Sequence, residues 1–572
     1  MFRSKLSFLL QALLIVTTIN AQTGVIKGSI SDISGLPLQG ANILLKNTTH
    51  GTTSDENGDF EFIDIAEGYY TLNVNYIGYE PVTYPDIWVR PNAYDALEVL
   101  LTQLVIEFDG VIVEDSYFRN SGLNQDQSVR FRNDEIRRAP GAGQELSRIL
   151  NSLPSVASVG ENRQDMMVRG GGPTENGFII DNIPLPSISH FSQEDGRSNG
   201  PIGLINTEMV DNLEFYSNGF SAKYGNRLSS YGDITYRSGN SEAMEGNFSL
   251  GLGGAATLLE GPLSKSSSYI FSFRRSYLDV IAGALNAGGL PSYDDIQGKI
   301  TFQPNHYNTF TILSVNGNSL YERTKEDALK EEQSNYGRRK NKQHTIGVNY
   351  RKIWNQSSFS NTSISQSNQR ADAQFLDYNS GSITSMANNQ LKSSSIRQIN
   401  QTSFSNNLSS EYGFEFTSKS LQYDFLLNEL SASQDVSITN SAVFTTFRYL
   451  IASKLLVSTG LRVESNDFED DFFYAPRINA KYNLNDGGSA LIYNAGQYYQ
   501  NPPEIYLSIE SNKSLTSVRT MQQSLTYERL ITTSTKLTFA YYQKEYFNAP
   551  ILTNNLNGVE PAFLLDRLAM HS

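Results

Sequence analysis

The chain has 572 residues, with 59 acidic side chains against 45 basic ones and a formal charge of -14. That surplus disfavours nucleic acid as a partner, because phosphate binding needs a basic surface. There is no cysteine, which excludes a disulfide scaffold and a thiolate metal centre, and the length allows several domains.

Residues 1–21 carry Arg3 and Lys5, an apolar run from Leu6 to Val16 broken only by Ser7 and Gln11, and then Ile19-Asn20-Ala21. This order predicts a secretory signal peptide cleaved before Gln22. The run is shorter than the roughly 20 apolar residues a spanning helix needs, and no later segment reaches that length. An exported chain can still enter a membrane as a closed barrel, whose strands are only half apolar, so the mean hydropathy of -0.37 does not oppose one. The 32 Tyr and 30 Phe beside two Trp suit aromatic girdles, and suit a secreted β-sandwich array equally.

Residues 22–104 predict a small β-sandwich. Its strands are VIKGSISD from Val25, ANILLKN from Ala41, GTTSD from Gly51, DFEFIDI from Asp59, YYTLNVNYI from Tyr69, PVTYPDIWV from Pro81 and ALEVLLT from Ala96. Turns are expected at Gly35, Gly51, Gly58, Gly68 and Gly78. The carboxylates of Asp55-Glu56-Asn57-Gly58-Asp59 suggest a calcium loop, but the glycine is misplaced and the closing glutamate is missing, so a structural turn is expected. Residues 105–116 read as a linker with an apolar, β-prone run, Val105 to Glu114.

Further on, Leu146, Ile149, Leu150 and Leu153 share one face of a short helix that Pro154 stops. Strands are then expected at VRGGG, GFIIDNIP and NLEFY. From about Glu245 the residues alternate. Tyr474, Ile478, Ala480, Tyr482 and Leu484 oppose Arg477, Asn479, Lys481 and Asn483. Ile346, Val348 and Tyr350 oppose Thr345, Asn349 and Arg351, and Val457, Leu461 and Val463 oppose Ser458, Arg462 and Glu464. A barrel wall produces this pattern, and so does an ordinary sheet with one solvated face. Tight links at Trp354–Gln356, Ala452–Lys454 and Asn485–Gly488 alternate with long ones at Asn318–Asn341, Ala371–Ile396, Glu464–Phe473 and Gln500–Ser514, which favours the barrel with its long loops outward.

Two runs identify the arrangement. VRGGGPTENGFIIDNIP, from Val168 to Pro184, and FYSNGFSAKYGNRLSSYGDI, from Phe215 to Ile234, resemble the plug of TonB-dependent outer-membrane receptors. Arg169 to Pro173 alone reads as an ordinary loop; the order of signal, sandwich, plug and alternating strands carries the resemblance. LPSV, at Leu153 to Val156, falls within a family pattern that starts at Leu150. The sandwich resembles the carboxypeptidase-regulatory-like domain that precedes such plugs. The resemblance implies a mainly β fold: the sandwich, an α/β plug at 117–239, and an antiparallel transmembrane β-barrel at 240–572.

It also implies an energy-coupling box for a TonB-type partner, placed at Asp109, Gly110, Val111, Ile112, Val113 and Glu114, although this segment reads too as a last sandwich strand or a first plug strand. Plug positions singled out are Arg169, Gly170, Gly171, Gly172, Asp181, Tyr224, Gly225 and Arg227. The implied function is import of a small ligand across the outer membrane, with membrane lipid and a surface lipoprotein as further partners. A non-transporting surface receptor or adhesin of the same architecture and a secreted β-repeat protein are the alternatives. The ligand class stays open among siderophore, cobalamin, glycan and peptide.

A family barrel has about 22 strands, whereas about 14 can be placed after Glu245 at the length each strand and connection needs. The ending Leu568-Ala569-Met570-His571-Ser572 lacks a terminal aromatic strand, so an incomplete barrel is expected. No enzyme is expected, nor any cofactor or metal. His50, His190, His306, His344 and His571 are scattered, and no G-x-S-x-G elbow occurs. Gly251-Leu252-Gly253-Gly254-Ala255-Ala256 fits a nucleotide pattern but lies between strands, where small residues of a barrel wall explain it better.

Overall fold

Apolar and polar residues alternate in both halves of this chain, but in opposite senses. The computed structural model describes residues 23–101, 128–552 and 565–567, apart from short segments within those ranges, the longest being 278–290. The signal segment 1–21 and the candidate box Asp109–Glu114 lie outside the described residues. The chain divides into one unit ending at Gly122 and a second beginning at Leu123.

The first unit consists of β1 (Thr23–Asp32), β2 (Asn42–Leu45), β3 (Gly51–Thr53), β4 (Asp59–Ala66), β5 (Gly68–Asn75), β6 (Val82–Val89) and β7 (Leu97–Leu101). They form two sheets, ordered β4-β1-β7 and β3-β2-β5-β6. Every second side chain points inward, so Ile26 and Ile30, Ile43 and Leu45, Phe60 and Phe62, Leu72 and Val74, and Val99 and Leu101 make one core. At the acidic loop Asp55 Oδ1 accepts the N–H groups of Asn57 at 2.8 Å and Asp59 at 2.9 Å, and Gly58 adopts φ 80°. That carboxylate closes a turn, as the displaced glycine predicts.

The second unit opens with a small sheet made of β8 (Ser128–Arg132), β11 (Asn176–Ile180), β12 (Ile183–Leu185), β13 (Val210–Tyr216) and β14 (Ser230–Tyr236), ordered β12-β11-β14-β13-β8. Beside it lie the pair β9 (Val156–Ser158) and β10 (Met166–Val168) and the helix Leu146–Leu150, whose Leu146, Ile149 and Leu150 are buried. Fifteen strands follow, β15 (Glu245–Gly251) to β29 (Thr535–Phe547), each antiparallel to its chain neighbour. Among the described residues no pairing joins β15 to β29. Gly251 ends β15 and pairs with Gly254, which begins β16 (Gly254–Ser264), so a strand and not a helix follows in the nucleotide-like run.

In this sheet the apolar face is the exposed one. Ile300, Ile312, Val348, Ile364, Ile396 and Phe416 are cross-strand neighbours on six successive strands and are all solvent-facing, Ile364 at 58% exposure. Inward lie Asp295, Gln297, Thr345, Arg397, Arg462, Arg477 and Asn494, all buried. A soluble protein does not sustain an apolar row of that length on its surface, whereas hydrocarbon favours it.

The long outward links differ from expectation. Asn318–Asn341 narrows to 324–334 because β19 (Asn308–Arg323) and β20 (Asn335–Asn355) keep pairing, and a helix Lys325–Lys330 fills the gap. Ala371–Ile396 narrows to 378–382 between β21 (Ser358–Asp377) and β22 (Ile383–Ser405). Past the apolar row both faces are polar, so side-chain alternation vanishes while the backbone ladder continues. The stretch after Ile396 is the rest of β22, a tight turn, and β23 (Leu408–Leu427), which completes the alternation of ends.

The inverted pattern sets the first expectation. Val348→Arg puts a charge on the apolar row and should lower the stability of the folded sheet in bilayers by about 2–4 kcal/mol. Urea titration of the heat-modifiable form in lipid vesicles measures it.

Candidate functional site: the plug and the polar wall

A turn buried away from water leaves its carbonyls unsatisfied unless its surroundings supply donors. The turn that follows β13 receives them from the inward faces of β22, β25 (Leu455–Asn466) and β26 (Phe472–Asn483). Arg477 Nη1 lies 3.1 Å from the carbonyl oxygen of Phe220, 2.6 Å from that of Ser221 and 2.8 Å from that of Tyr224, so three acceptors share its two N–H bonds. Arg462 Nη1 donates to Ala222 O at 3.4 Å, Arg397 Nη2 to Lys223 O at 2.7 Å, and Asn479 Nδ2 to Gly219 O at 3.1 Å. Six consecutive carbonyls, Gly219 to Tyr224, thus rest on wall side chains.

The glycine at 225 is required by that approach. A Cβ there would lie 2.2 Å from both Arg462 Nε and Glu464 Oε1. Tyr231 donates to Gly225 O at 2.6 Å, Tyr224 donates to Asp233 Oδ2 at 2.6 Å, and the two rings stack with centroids 4.7 Å apart. Arg227 Nε donates to Asn176 O at 2.9 Å, tying this turn to β11.

Lys223 sits between Glu411 Oε2 at 3.7 Å and Asp233 Oδ2 at 4.0 Å. Burial pushes its pKa down, but the two carboxylates outweigh burial and hold the ammonium above its usual range. Burial raises Asp233, against Lys223 and the Tyr224 hydrogen bond, and raises the Tyr224 phenol, with Asp233 adding to it. The phenol therefore stays a donor.

VRGGG, from Val168 to Gly172, is a turn rather than the expected strand. Only Val168 belongs to β10; Arg169 and Gly170 take φ of 46° and 75°, and Val168 and Gly171 exchange N–H···O bonds of 3.2 and 2.9 Å. A Cβ on Gly171 would lie 1.8 Å from Ser229 Oγ. Gly172 N donates to Glu175 Oε1 at 3.1 Å, and Glu175 in turn accepts from Lys544 of β29 at 2.6 Å and from Tyr546 at 2.9 Å. Arg169 lies over the Tyr542 ring at 5.5 Å, and burial lowers its pKa.

Asp181 and Asn182, at φ 47° and 65°, turn β11 into β12. Asp181 meets Lys299 at 3.1 Å, and burial raises its pKa against that cation. Asn182 Oδ1 accepts from Arg397 Nη1 at 2.8 Å. The structure thus brings Tyr224, Gly225 and Asn182 onto shared wall arginines, and sets Arg169 to Gly172 apart, against β29.

A second cluster had no motif to announce it. His190 Nε2 is 3.0 Å from Asp295 Oδ2, Asp295 accepts from Arg274 Nε at 2.9 Å, and Arg274 Nη2 donates to Leu204 O at 2.7 Å. Glu145 Oε2 accepts from Gly203 N at 2.7 Å. Burial pushes His190 down despite Asp295 and pushes Glu145 up to about 7. Only the inward parity of Asp295 in β18 (Ser292–Asn305) was available as a signal.

Between the plug and the wall lies a cavity of about 200 Å³, lined by Asn226 and Tyr231 on one side and by Arg397, Lys419 and Phe473 on the other. Hydrogen-bonded charges converge here. The arrangement is suited to holding and exchanging partners.

Comparison with known proteins follows this geometry. Residues 25–102 match the carboxypeptidase regulatory-like domain, 105–230 the TonB-dependent receptor plug domain, and 272–564 the TonB dependent receptor-like β-barrel. A 65-residue segment is 38% identical to the TonB-dependent receptor SusC of Bacteroides thetaiotaomicron, covering 11% of this chain and 6% of that receptor's length. A ferric enterobactin receptor of Pseudomonas aeruginosa, PfeA, superposes with a TM-score of 0.58 at 14% identity over 73% of this chain and 71% of that one. The siderophore receptor PirA of the same organism gives 0.55 at 14% over 77% and 78%. The outer membrane transporter YddB of Escherichia coli gives 0.56 at 10% over 75% and 71%. At these identities the likeness is one of fold.

Two outcomes follow for the docked plug. Arg477→Met strips three carbonyls of their donor and should lower the denaturant stability of plug docking by about 3 kcal/mol, the scale of buried acceptors left unsatisfied; protease accessibility of Arg227 reads it. Glu145 favours the folded state when protonated, because burial lifts its folded pKa above the ordinary glutamate value of 4.5. Its contribution is complete below that value and is lost as pH rises through about 7. Plug docking should therefore weaken from pH 5 to 8, and Glu145→Gln should flatten that dependence.

Proposed function

This chain belongs to the TonB-dependent receptor family, and we propose that it binds a small ligand at the outer cell surface and passes it to the periplasm using energy coupled from the inner membrane. The observation that carries the reading is the plug's attachment through backbone carbonyls to wall arginines. Water can replace each such donor as the plug shifts, so these hydrogen bonds yield to a modest pull. Ligand in the cavity touches both sides of this attachment, and can change the plug's position only by binding two positions with different affinity.

Energy enters, in this reading, through Asp109–Glu114, which follows the sandwich strands and precedes the plug strands in the chain. Its Val111-Ile112-Val113 centre suits pairing with the sheet edge of a TonB-type protein. Residues 1–21 direct export, and a surface lipoprotein is a further candidate partner. Siderophore binding belongs to the neighbours PfeA and PirA, and at 14% identity it does not carry over to this chain.

Ile112→Pro removes a backbone donor and cannot join a ladder from within. It should abolish energy-dependent uptake while binding of ligand to whole cells changes less than about twofold. A cysteine at Val111 should cross-link to one in the partner's terminal domain only when ligand is present. Undiminished uptake by the proline variant would return the segment to a structural strand and favour the surface-receptor alternative. Release of the full-length chain by alkaline carbonate would overturn the membrane location itself.

A further inference from the structure

The outer face of the sheet changes character above its apolar row. On β20 the exposed side chains run from Val348 and Ile346 through His344 to Lys342 and Lys340, and at the same level β21 exposes Arg370 and β22 exposes Lys392. The ladder gathers these cations. Lys342 stands directly opposite Arg370, and Gln390 faces Arg370 from the other side, so Lys340 and Lys392 are its diagonal neighbours. Like charges directly opposite each other destabilise a sheet, and diagonal positions lie within reach of long side chains.

One carboxylate offsets four cations. Asp372 accepts from Arg370 Nε at 3.1 Å, so it is already engaged although Lys340 is its cross-strand neighbour. The ammonium groups of Lys340, Lys342 and Lys392 have no partner among the described residues. A chain whose net charge is -14 thus keeps an uncompensated basic patch on three adjacent strands. Next to it β23 presents Ser420, Gln422 and Asp424 at the same level, so the patch ends at β22.

Its level selects the partner. Lys342 and Arg370 lie six residues from Val348 and Ile364, and Lys392 lies four from Ile396. At about 3.3 Å per residue and a tilt of about 40°, they stand roughly 10–15 Å above the apolar row. At the other end of β20 the exposed Trp354 lies six residues below Val348. Trp354 and Lys342 are therefore separated by about 30 Å along the membrane normal, the thickness of a hydrocarbon core, with an interfacial aromatic at one limit and the cations at the other. What adjoins the cations is a layer of lipid headgroups rather than bulk water alone.

We infer that Lys340, Lys342, Arg370 and Lys392 bind the phosphate-bearing headgroup of an anionic lipid in the outward leaflet, whose acyl chains lie over Ile346, Val348 and Ile364. Phosphate oxygens supply the counter-charge that the sheet lacks, in charge-assisted hydrogen bonds. The inference rests on the membrane location and not on import.

Native mass spectrometry of the full chain from neutral micelles tests it. The probe is lipid A carrying two phosphates, and the comparison is phosphatidylcholine, whose phosphate is balanced by its own ammonium. Lipid A should bind at least about tenfold more tightly. Lys342→Gln and Lys392→Gln should each weaken it about fivefold while keeping the heat-modifiable form, and Asp372→Asn, which removes the competing carboxylate, should strengthen it. Lys352→Gln, at the other end of β20, should change it less than about twofold. Equal affinity for the two lipids, unchanged binding in both patch variants, an equal loss in Lys352→Gln, or displacement by an equal concentration of inorganic phosphate would overturn the inference. Release of the chain by alkaline carbonate would sink the membrane location and this reading together, whereas lost lipid selectivity in a carbonate-resistant chain would sink this reading alone.

Discussion

Everything in the larger unit depends on one demand: irregular backbone enclosed by a sheet must find hydrogen-bond partners among side chains. The carbonyls from Gly219 to Tyr224 belong to no ladder, and Arg397, Arg462, Arg477 and Asn479 reach them from the wall. The same demand explains why so many inward positions are arginine, asparagine and glutamine, while Leu258, Ile270, Leu313 and Val315 of the wall join the plug's apolar cluster. A plug fastened in this way is ordered and yet removable, since each bond exchanges with water at small net cost. An apolar core of equal extent would fix it permanently.

The charges of the interface follow from the same enclosure. Lys223 stays protonated because Glu411 and Asp233 face it, and Tyr224 stays a donor because burial and Asp233 forbid its ionisation. On the opposite side Glu145 and His190 are both pushed toward neutrality by burial. One flank of the plug is therefore held by permanent charge, and the other includes Glu145, whose pKa burial raises to about 7.

Most of the fold could be read from residue order because its determinants are local. All the strands expected in the first unit appear, the helix ends before Pro154, and Arg477 and Asn479 point inward opposite Tyr474 and Ile478 as their alternation requires. The extent of β20 to β22 could not be read, since beyond the apolar row their side chains are mostly polar on both faces and only backbone pairing continues. VRGGG misled because glycine spacing does not distinguish a strand from a turn with positive φ at Arg169 and Gly170. The wall partners of Tyr224 and Asn182, Arg477 and Arg397, were out of reach for a different reason: they lie more than a hundred residues away, and only the wrapping of the sheet around the plug brings them near. His190 and Asp295 carry no motif at all.

The persistence of pairing at the long ends has a consequence for how this surface can change over time. β21 and β22 remain in register from the apolar row almost to the connection at 378–382. What faces the surroundings there is a stiff ribbon, not a slack loop. An exchange of one side chain alters one patch and leaves its mounting intact. Insertion of a single residue flips every side chain beyond it to the other face. Such a ribbon drifts easily by substitution and resists changes of length, which is the opposite of the tolerance shown by recognition surfaces built on free loops.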